Sequence, residues 1–149
     1  MIIFTRTGFF NADIQKLIVE LDKEFVVRYP FLKDIFTPFN LMNETARVMI
    51  AHDQATPVAC GAFRPMDERT IEIKRMYTVP AYRNQGIGKL ILLEVEQWAK
   101  EEGFSIAKLE TGMNQPEAIS AYIKSGYVRM PSFSPYKNVK ESIYMTKNL

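Results

Sequence analysis

The sequence predicts an α+β (mixed α/β) fold built around a central mixed sheet. Three strand-like runs, residues 47–53, 58–65 and 70–79, are separated by short polar turns, which is typical of an antiparallel meander. A helix-like segment and a further strand at 105–111 follow, and their lengths match a parallel crossover unit. The full predicted order is β-α-(α)-β-β-β-α-β-α-β-β, which places helices against a sheet with both kinds of strand neighbour.

The first half of the chain begins with a predicted strand at residues 2–6. Asn11 is a favourable N-cap for the helix that follows, and Pro30 ends that helix because the residue before a proline avoids helical angles. The apolar residues of this helix recur at the spacing of one buried face: Ile14, Leu17, Ile18, Leu21 and Phe25. Residues 31–44 are rich in aromatic residues, and they are expected to form a short helix or an irregular lid.

The second half contains two helices and the last three strands. The helix after "RNQGIG" ends near Gly103, where glycine is typical of the position after a helix. Pro116 is expected to open a shorter helix over residues 116–126, because a missing N–H costs least in the first turn. Residues 127–133 and 141–147 are predicted to be a hairpin-like pair of strands.

The composition limits the classes of function. The length suits one domain, residues 1–149, and the net charge of +2 without a long basic cluster gives no indication of a nucleic-acid partner. The N-terminal apolar stretch is too short for a signal peptide, and no run approaches the roughly 18 apolar residues of a membrane helix. The single cysteine, Cys60, excludes an intrachain disulfide. We therefore expect a cytoplasmic protein with neither a nucleic acid nor a membrane as partner.

The loop "RNQGIG", residues 83–88, has the character of a phosphate-binding turn, and three motifs compete for it. A Walker loop requires Ser or Thr after its lysine, but Leu90 stands there. A dinucleotide fingerprint requires a small third residue, and Ile91 weakens it, although Glu110 stands near the place of its acidic residue. The third motif is the acyltransferase signature considered below.

The physical chemistry of the loop favours an anionic ligand whatever the motif is called. Gly86 and Gly88 let the backbone approach a ligand closely. The N–H groups of about residues 84–89 precede a helix, where they lack intrahelical partners and carry the positive end of the helix dipole. A diphosphate fits such an end, and Arg83 and Lys89 can add positive charge at its rim.

"RNQGIG" matches the Arg/Gln-x-x-Gly-x-Gly/Ala signature of the GNAT superfamily of N-acetyltransferases. The segment "MYTVPAYRNQGIGKLIL" resembles the strand, loop and helix of this family, and "GMNQPEAISAYIKSGY" resembles its later helix. The resemblance covers nearly the whole chain. It implies a mixed, mostly antiparallel sheet of about seven strands flanked by about four helices. It also implies acetyl-CoA as the acyl donor and no metal.

The resemblance implies a set of cofactor-binding residues. Backbone groups at the end of the fourth strand are expected to pair with the pantetheine arm, as an added strand would. The loop residues are expected to hold the diphosphate, and an amide after the fifth strand is expected to contact the cofactor. The full set is Tyr77, Thr78, Val79, Arg83, Asn84, Gln85, Gly86, Ile87, Gly88, Lys89, Asn114 and Gln115. Many relatives have asparagine where Gln115 stands, so either amide of this pair could make the contact.

Tyr122 matches the tyrosine that protonates the leaving thiolate in this family, although packing on the short helix could also explain it. For the base that accepts the proton of the amine, Glu110 at the end of the fifth strand is preferred over Glu72 on the fourth. Either carboxylate could instead be merely paired or solvated.

Other conspicuous residues have simpler interpretations. His52 stands without a cluster of metal ligands and is expected to cap or leave a strand, and Cys60 is expected to be a packed thiol. Arg28, Tyr29 and Arg64 are candidates for binding an acidic group on the acceptor. Residues in irregular segments could line the acceptor pocket: Phe31, Phe36, Phe39, Met42, Phe133 and Tyr136.

The predicted activity is transfer of an acetyl group from acetyl-CoA to a primary amine by direct attack in a ternary complex. The acceptor is not identified; a small amine or an amino-acid-like compound is favoured, and a protein amine stays open. The alternatives are a non-catalytic acyl-CoA-binding or sensing module and, less favoured, a nucleotide-binding regulator. Dimers are common in the family, so a homodimer is possible.

Overall fold

The computed structural model describes residues 1–30, 43–133 and 140–149. Its strands form one seven-stranded sheet in the order β1-β2-β3-β4-β5-β7-β6. The strands are β1 (Ile2–Gly8), β2 (Arg47–Asp53), β3 (Thr56–Pro65), β4 (Thr70–Thr78), β5 (Ile106–Gly112), β6 (Val128–Met130) and β7 (Ser142–Asn148). The α-helices of the described ranges are α1 (Ala12–Arg28), α2 (Ile87–Glu101) and α3 (Pro116–Lys124), with a 3-10 turn at Pro80–Tyr82.

The predicted fold class and strand order are confirmed, with a slightly different helix count. The sequence predicts about four helices, and the described residues contain three. The fourth was expected over residues 31–44, of which residues 31–42 lie outside the described ranges.

Helix α1 begins and ends as its sequence predicts. The side chain of Asn11 accepts hydrogen bonds from the N–H groups of Asp13 and Ile14, which completes the N-cap. The helix ends at Arg28, two residues before Pro30. Its buried residues Ile14 and Leu17 belong to a cluster on one face of the sheet, with residues of β2, β3 and β4.

The opposite face of the sheet holds the larger core. Apolar residues of α2 recur at helical spacing and pack against the central strands of the sheet. The buried apolar positions of this helix are Ile87, Ile91, Leu92, Val95 and Ala99. The sheet is therefore covered on both faces, as mixed sheets with crossover helices require.

Strands β4 and β5 are parallel neighbours only at their beginnings. Thr70 to Ile73 of β4 pair with Ile106 to Leu109 of β5, and beyond this point the two strands have no further register. The ends of the strands diverge and leave a cleft between them.

An irregularity in β4 was not predicted. Arg75 adopts a left-handed backbone angle, φ 58°, and the register with β3 shifts between Cys60 and Ala62. A β-carbon on the intervening Gly61 would collide with the side chains of Met76 and Ile91. This bulge reverses the alternation of the strand, so that Tyr77 belongs to the cluster on the α1 face.

The C-terminal strands differ in part from the prediction. Strands β6 and β7 pair in antiparallel fashion, as expected of a hairpin-like pair, but β7 lies between β5 and β6. The predicted strand at 127–133 is too long, because β6 covers only Val128–Met130. In the described ranges, no helix combines the length and apolar character needed to cross a bilayer.

Candidate active site

A cleft opens where β4 and β5 separate. It is lined by Leu21 and Phe25 of α1, residues 73–76 of β4, residues 110–112 of β5, and Gln115 and Tyr122 at α3. Both residues proposed from the sequence for acid–base chemistry, Glu110 and Tyr122, therefore reach the same cleft. The expected cofactor groups lie at the far ends of the same strands and at the start of α2.

The start of α2 lacks a side-chain cap within the described residues. The first intrahelical bond of the loop runs from the N–H of Leu90 to the carbonyl of Gly86, at 3.1 Å. The N–H groups of Ile87, Gly88 and Lys89 precede it and cannot find intrahelical acceptors. A helix start without a capping oxygen can accept an anion in its place.

Gly86 is needed for its backbone angle, φ 80°, whereas Gly88 lies within the helix. A β-carbon at Gly88 would stand 3.4 Å from the Thr78 hydroxyl oxygen, so the loop passes close to the end of β4. The phosphate loop and the expected pantetheine strand thus adjoin each other.

We expect Gly86→Ala to lower the free energy of unfolding by about 1 kcal/mol, because alanine tolerates left-handed angles poorly. It should also raise the Kd for acetyl-CoA about tenfold, since the angle at Gly86 directs the N–H groups that follow. Gly103→Ala is the matched control, because Gly103 also has a positive φ, 93°, and open space around it. Urea denaturation and calorimetric titration would measure both effects. Equal acetyl-CoA affinity in the two variants would contradict the role of the loop.

Arg83 has a different position from the one expected at a phosphate rim. Its guanidinium forms two contacts with the carboxylate of Glu24 on α1, at 2.9 and 3.0 Å. Its Nε donates to the carbonyl of Thr78 at 2.8 Å. The ion pair with Glu24 raises the pKa of Arg83 and occupies its charge. In this structure Arg83 therefore joins α1 to the end of β4, while Lys89 is exposed at the helix start.

The backbone groups at the end of β4 are only partly free. The N–H of Val79 donates to the carbonyl of Val58 at 2.9 Å, so the prediction of a free N–H at Val79 is wrong. The carbonyl of Thr78 accepts from Arg83. Neighbouring residues of a strand direct their backbone groups to opposite sides, so the N–H of Thr78 faces the cleft. Tyr77 is buried, with its ring 5.6 Å from the Arg83 guanidinium.

Glu110 is a partly buried carboxylate at the point where β5 leaves β4. The hydroxyl of Ser142 donates to its Oε1 at 2.7 Å. Burial raises the pKa of Glu110 to about 7, and the negative charge of Glu72 adds to this, whereas Ser142 and Lys74 lower it. A carboxylate with a pKa near neutrality can both accept and release a proton under ordinary conditions.

Tyr122 is held on α3 by its neighbour Tyr127, the two rings meeting edge to face at 5.8 Å between centroids. Burial, followed by the charge of Glu110, raises the pKa of Tyr122 above the ordinary value of a phenol. The phenol is therefore protonated at neutral pH and can donate its proton. Tyr127 is fixed in turn by a hydrogen bond of 2.9 Å to Glu96.

Glu72, the second candidate for the base, is fully buried and ion-paired with Lys74 at 3.0 Å and Arg64 at 3.5 Å. It does not line the cleft, whereas Lys74 does. Burial lowers the pKa of Lys74, against the opposing effect of Glu72. The geometry therefore favours Glu110 over Glu72 as the group that meets the acceptor.

The two amides after β5 have separate environments. The backbone N–H of Asn114 donates to the Tyr29 hydroxyl at 2.9 Å, and its carbonyl accepts from Arg28. Gln115 instead lines the cleft at the start of α3. A β-carbon on Gly112 would collide with the Tyr29 hydroxyl, so this glycine lets Tyr29 pack under the end of β5.

Four further residues singled out in the sequence have the following surroundings. His52 lies within β2 and its Nε2 is 3.0 Å from the Asp13 carboxylate. Cys60 is buried, as predicted, and burial raises its pKa to about 12. Asn84 has a positive φ, 61°, and the side chain of Gln85 donates to the carbonyl of Ala81.

Of the three candidates for an acidic group, Arg28 pairs with Glu117, Tyr29 lies close enough to feel the charge of Glu110, and Arg64 lies on β3 opposite Glu72. Phe133 is buried against Tyr144. The other proposed wall residues lie outside the described residues: Phe31, Phe36, Phe39, Met42 and Tyr136. Within the described ranges, no group of three or more acidic, histidine or cysteine side chains could hold a metal ion.

Sequence reasoning missed several contributors to the site. Ser142, the hydrogen-bond donor to Glu110, comes from β7, which the sequence does not place beside β5. Lys74 follows Glu72 by two residues, and the alternation of a strand could have placed both on one face. The pairing of Arg83 with Glu24 left no signal in the sequence.

The fold and the cleft define an N-acyltransferase. Residues 14–127 match the model of the Acetyltransferase (GNAT) family. The chain therefore belongs to the GNAT family of acetyltransferases.

Proteins from several bacteria are similar to this chain over much of its length. The protein named IAA acetyltransferase from Azospirillum brasilense is 34% identical over 141 residues, covering 91% of this chain and 90% of that protein. The N-acetyltransferase YsnE of Bacillus subtilis, itself uncharacterised, is 32% identical over 60% of this chain and 61% of its own length. The comparisons give no support to the non-catalytic alternative.

Solved structures agree with the fold. A Klebsiella pneumoniae protein described as an acyl-CoA N-acyltransferase superposes with a TM-score of 0.84 at 29% identity, covering 100% of this chain and 98% of that one. A GNAT acetyltransferase from Elizabethkingia anophelis, solved with acetyl-CoA bound, has a TM-score of 0.71 at 19% identity over 99% and 98% of the two chains.

Proposed function

We propose that this protein transfers the acetyl group of acetyl-CoA to a primary amine by direct attack within the cleft between β4 and β5. The observation that carries the proposal is the opening of that cleft after Ile73 and Leu109, with Glu110 and Tyr122 both lining it. Family membership supports the reaction class, and the geometry of the cleft supports the roles of its residues.

The residues at the ends of the strands fit the acyl donor. The uncapped N–H groups at the start of α2 suit its diphosphate, and the N–H of Thr78 that faces the cleft suits the pantetheine arm. Gln115 lines the cleft and is the amide favoured for contact with the donor, whereas the side-chain amide of Asn114 donates to the carbonyl of Arg28 at 3.5 Å. The donor supplies the activated acetyl group at a thioester.

The proton transfers are assigned to the two residues that line the cleft near the bond to be broken. The amine enters in its neutral form, because a protonated amine cannot attack. Glu110 then accepts one proton from the nitrogen as the new bond to carbon forms. Tyr122 donates one proton to the thiolate as the carbon–sulfur bond breaks. The nearly neutral pKa of Glu110 suits a group that accepts a proton, and the position of Tyr122 in the cleft is what supports its role as donor.

A small amine or an amino-acid-like compound is the favoured acceptor. Cytoplasmic location is part of the proposal, since the single cysteine, Cys60, is buried and free. A homodimer stays a prediction.

Two linked experiments test the function. Melting temperatures are measured with acetyl-CoA, ATP and NAD at equal concentration, because a ligand that binds only the folded state stabilises it. Release of free thiol from acetyl-CoA is then followed against a panel of primary amines. Stabilisation by acetyl-CoA together with amine-dependent thiol release supports the proposal. Stabilisation by ATP or NAD but not by acetyl-CoA would overturn it, and so would binding without any amine-dependent release.

A further inference from the structure

We propose that the acceptor carries a carboxylate in addition to its amine, and that Arg64 binds this carboxylate. The inference rests on the proposed function and narrows its substrate class. It depends on a row of charged side chains that crosses the sheet beside the cleft, which we call the charged row: Arg64 of β3, Glu72 of β4 and Lys108 of β5.

The charged row and the base lie on the same face of the sheet. Arg64 is paired in register with Glu72, and Glu72 with Lys108, so all three side chains project to one side. Glu110 follows Lys108 by two residues on β5 and projects to that side as well. The row therefore crosses the sheet two residues before Glu110 along β5. An acceptor whose amine meets Glu110 can place a second group beside the row.

Three cations and three carboxylates of the described residues lie around the row. Glu72 is buried and lies 3.0 Å from the ammonium of Lys74. Arg64 and Lys108 are two further cations. Asp67 accepts from the backbone N–H groups of residues 69 and 70, and Glu110 projects to the same face within the influence of Lys74. The charges therefore balance in number when Glu110 is ionised, and one positive charge is in excess when Glu110 is protonated.

Arg64 is the cation with donors to spare. Its side chain is one-third exposed, and its contact with Glu72 is long, at 3.5 Å. A guanidinium carries five N–H donors in a planar fork that matches a carboxylate with two parallel hydrogen bonds. Lys108 lies 6.0 Å from the ring of Phe133 and adds charge to the same face.

The same charges disfavour other amine classes. A diamine or polyamine would bring a second cation toward Arg64, Lys74 and Lys108, and like charges repel most strongly where water is partly excluded. An amine without an anion would leave the donors of Arg64 unused beyond its long contact with Glu72.

The test compares amino acids with their carboxamides. A series of amino acids in which the carbon chain between amine and carboxylate lengthens stepwise is assayed by thiol release, each acid paired with its amide. Rates are expressed per concentration of neutral amine, because the amide and the acid differ in amine pKa. We expect at least one acid to exceed its amide by about tenfold or more in kcat/KM, as for a charged hydrogen-bonded pair.

Substitutions of Arg64 test whether this residue causes the preference for acids over amides. Arg64→Gln should bring the acid-to-amide ratio close to one. Arg64→Lys should restore part of the ratio, since it keeps the charge and loses the fork. Arg47→Gln is the matched control, because Arg47 has similar exposure and an ion pair with Glu102 but lies far along the sheet on β2. It should leave the ratio unchanged.

The outcomes separate this inference from the function on which it rests. If none of the amines in the series caused thiol release above the rate without amine, the function and the inference would both be overturned. Thiol release that is equally fast with acids and amides would leave the acetyltransferase intact and overturn the carboxylate. A preference for acids that survives in Arg64→Gln, with the melting temperature unchanged, would overturn Arg64 as its cause.

Discussion

Glu110→Gln is expected to lower kcat/KM by roughly two to four orders of magnitude, the usual contribution of a positioned general base. The wild-type profile of kcat/KM should rise with pH through about 7, because burial raises the pKa of Glu110 to about 7 and only the ionised form accepts a proton. The variant should lose this rise. Stopped-flow or steady-state thiol release, measured from below pH 6 to above pH 8 with one acceptor, checks both statements.

Loss of folding cannot explain such a result. The folded-state pKa of Glu110 lies above its ordinary value, so the folded protein loses stability as the pH rises from about 4.5 through 7. The difference corresponds to at most about 3 kcal/mol, and solvent access reduces it. Glutamine avoids this cost, so the variant should be at least as stable as the wild type at pH 8. Glu141→Gln, an exposed neighbour of Ser142, is the control for lost charge. An unchanged pH profile in Glu110→Gln would remove Glu110 from the mechanism.

Tyr122→Phe is expected to lower kcat by about two orders of magnitude or more while leaving the Kd for acetyl-CoA within about twofold. The hydroxyl that is removed is the proton donor for the thiolate, whereas the ring that packs against Tyr127 remains. Turnover and calorimetric titration with acetyl-CoA separate the two effects.

The matched variant is Tyr82→Phe. The hydroxyl of Tyr82 bonds to Asp53 at 3.0 Å and does not line the cleft. Its removal should lower stability slightly and leave kcat near the wild-type value. If both tyrosine variants retained full turnover, water rather than Tyr122 would have to protonate the thiolate.

Local chemistry made much of the fold predictable. Asn11 as an N-cap, Pro30 as a stop and Pro116 at a helix start determine their boundaries through short-range sterics and hydrogen bonds, and the structure has these boundaries. Strand β2 covers the predicted residues, because its flanking turns carry clear signals.

Features that depend on distant contacts were not predictable. The bulge at Arg75 follows from the close packing of Gly61 against Met76, which alternation along β4 does not reveal. Which strand lies beside β5 depends on contacts between distant parts of the chain. The position of β7 between β5 and β6 brings Ser142 to Glu110.

The part of the candidate site that depends on backbone groups was predictable from a sequence motif. The glycine loop at the start of α2 and the positions of Glu110 and Tyr122 follow from spacing and from the family resemblance. Long side chains were not predictable, because their partners depend on packing. Arg83 thus pairs with Glu24 of α1, 59 residues away, instead of remaining free at the loop.

The central claim is that the uncapped start of α2 binds the diphosphate of acetyl-CoA and so directs the thioester into the cleft at Glu110 and Tyr122. A crystal structure of the complex with acetyl-CoA measures this most directly. We expect diphosphate oxygens within about 3.2 Å of the backbone nitrogens at the start of α2, and the thioester sulfur within hydrogen-bond reach of the Tyr122 hydroxyl. A diphosphate bound away from this helix start, or a phenol turned away from the sulfur, would contradict the account.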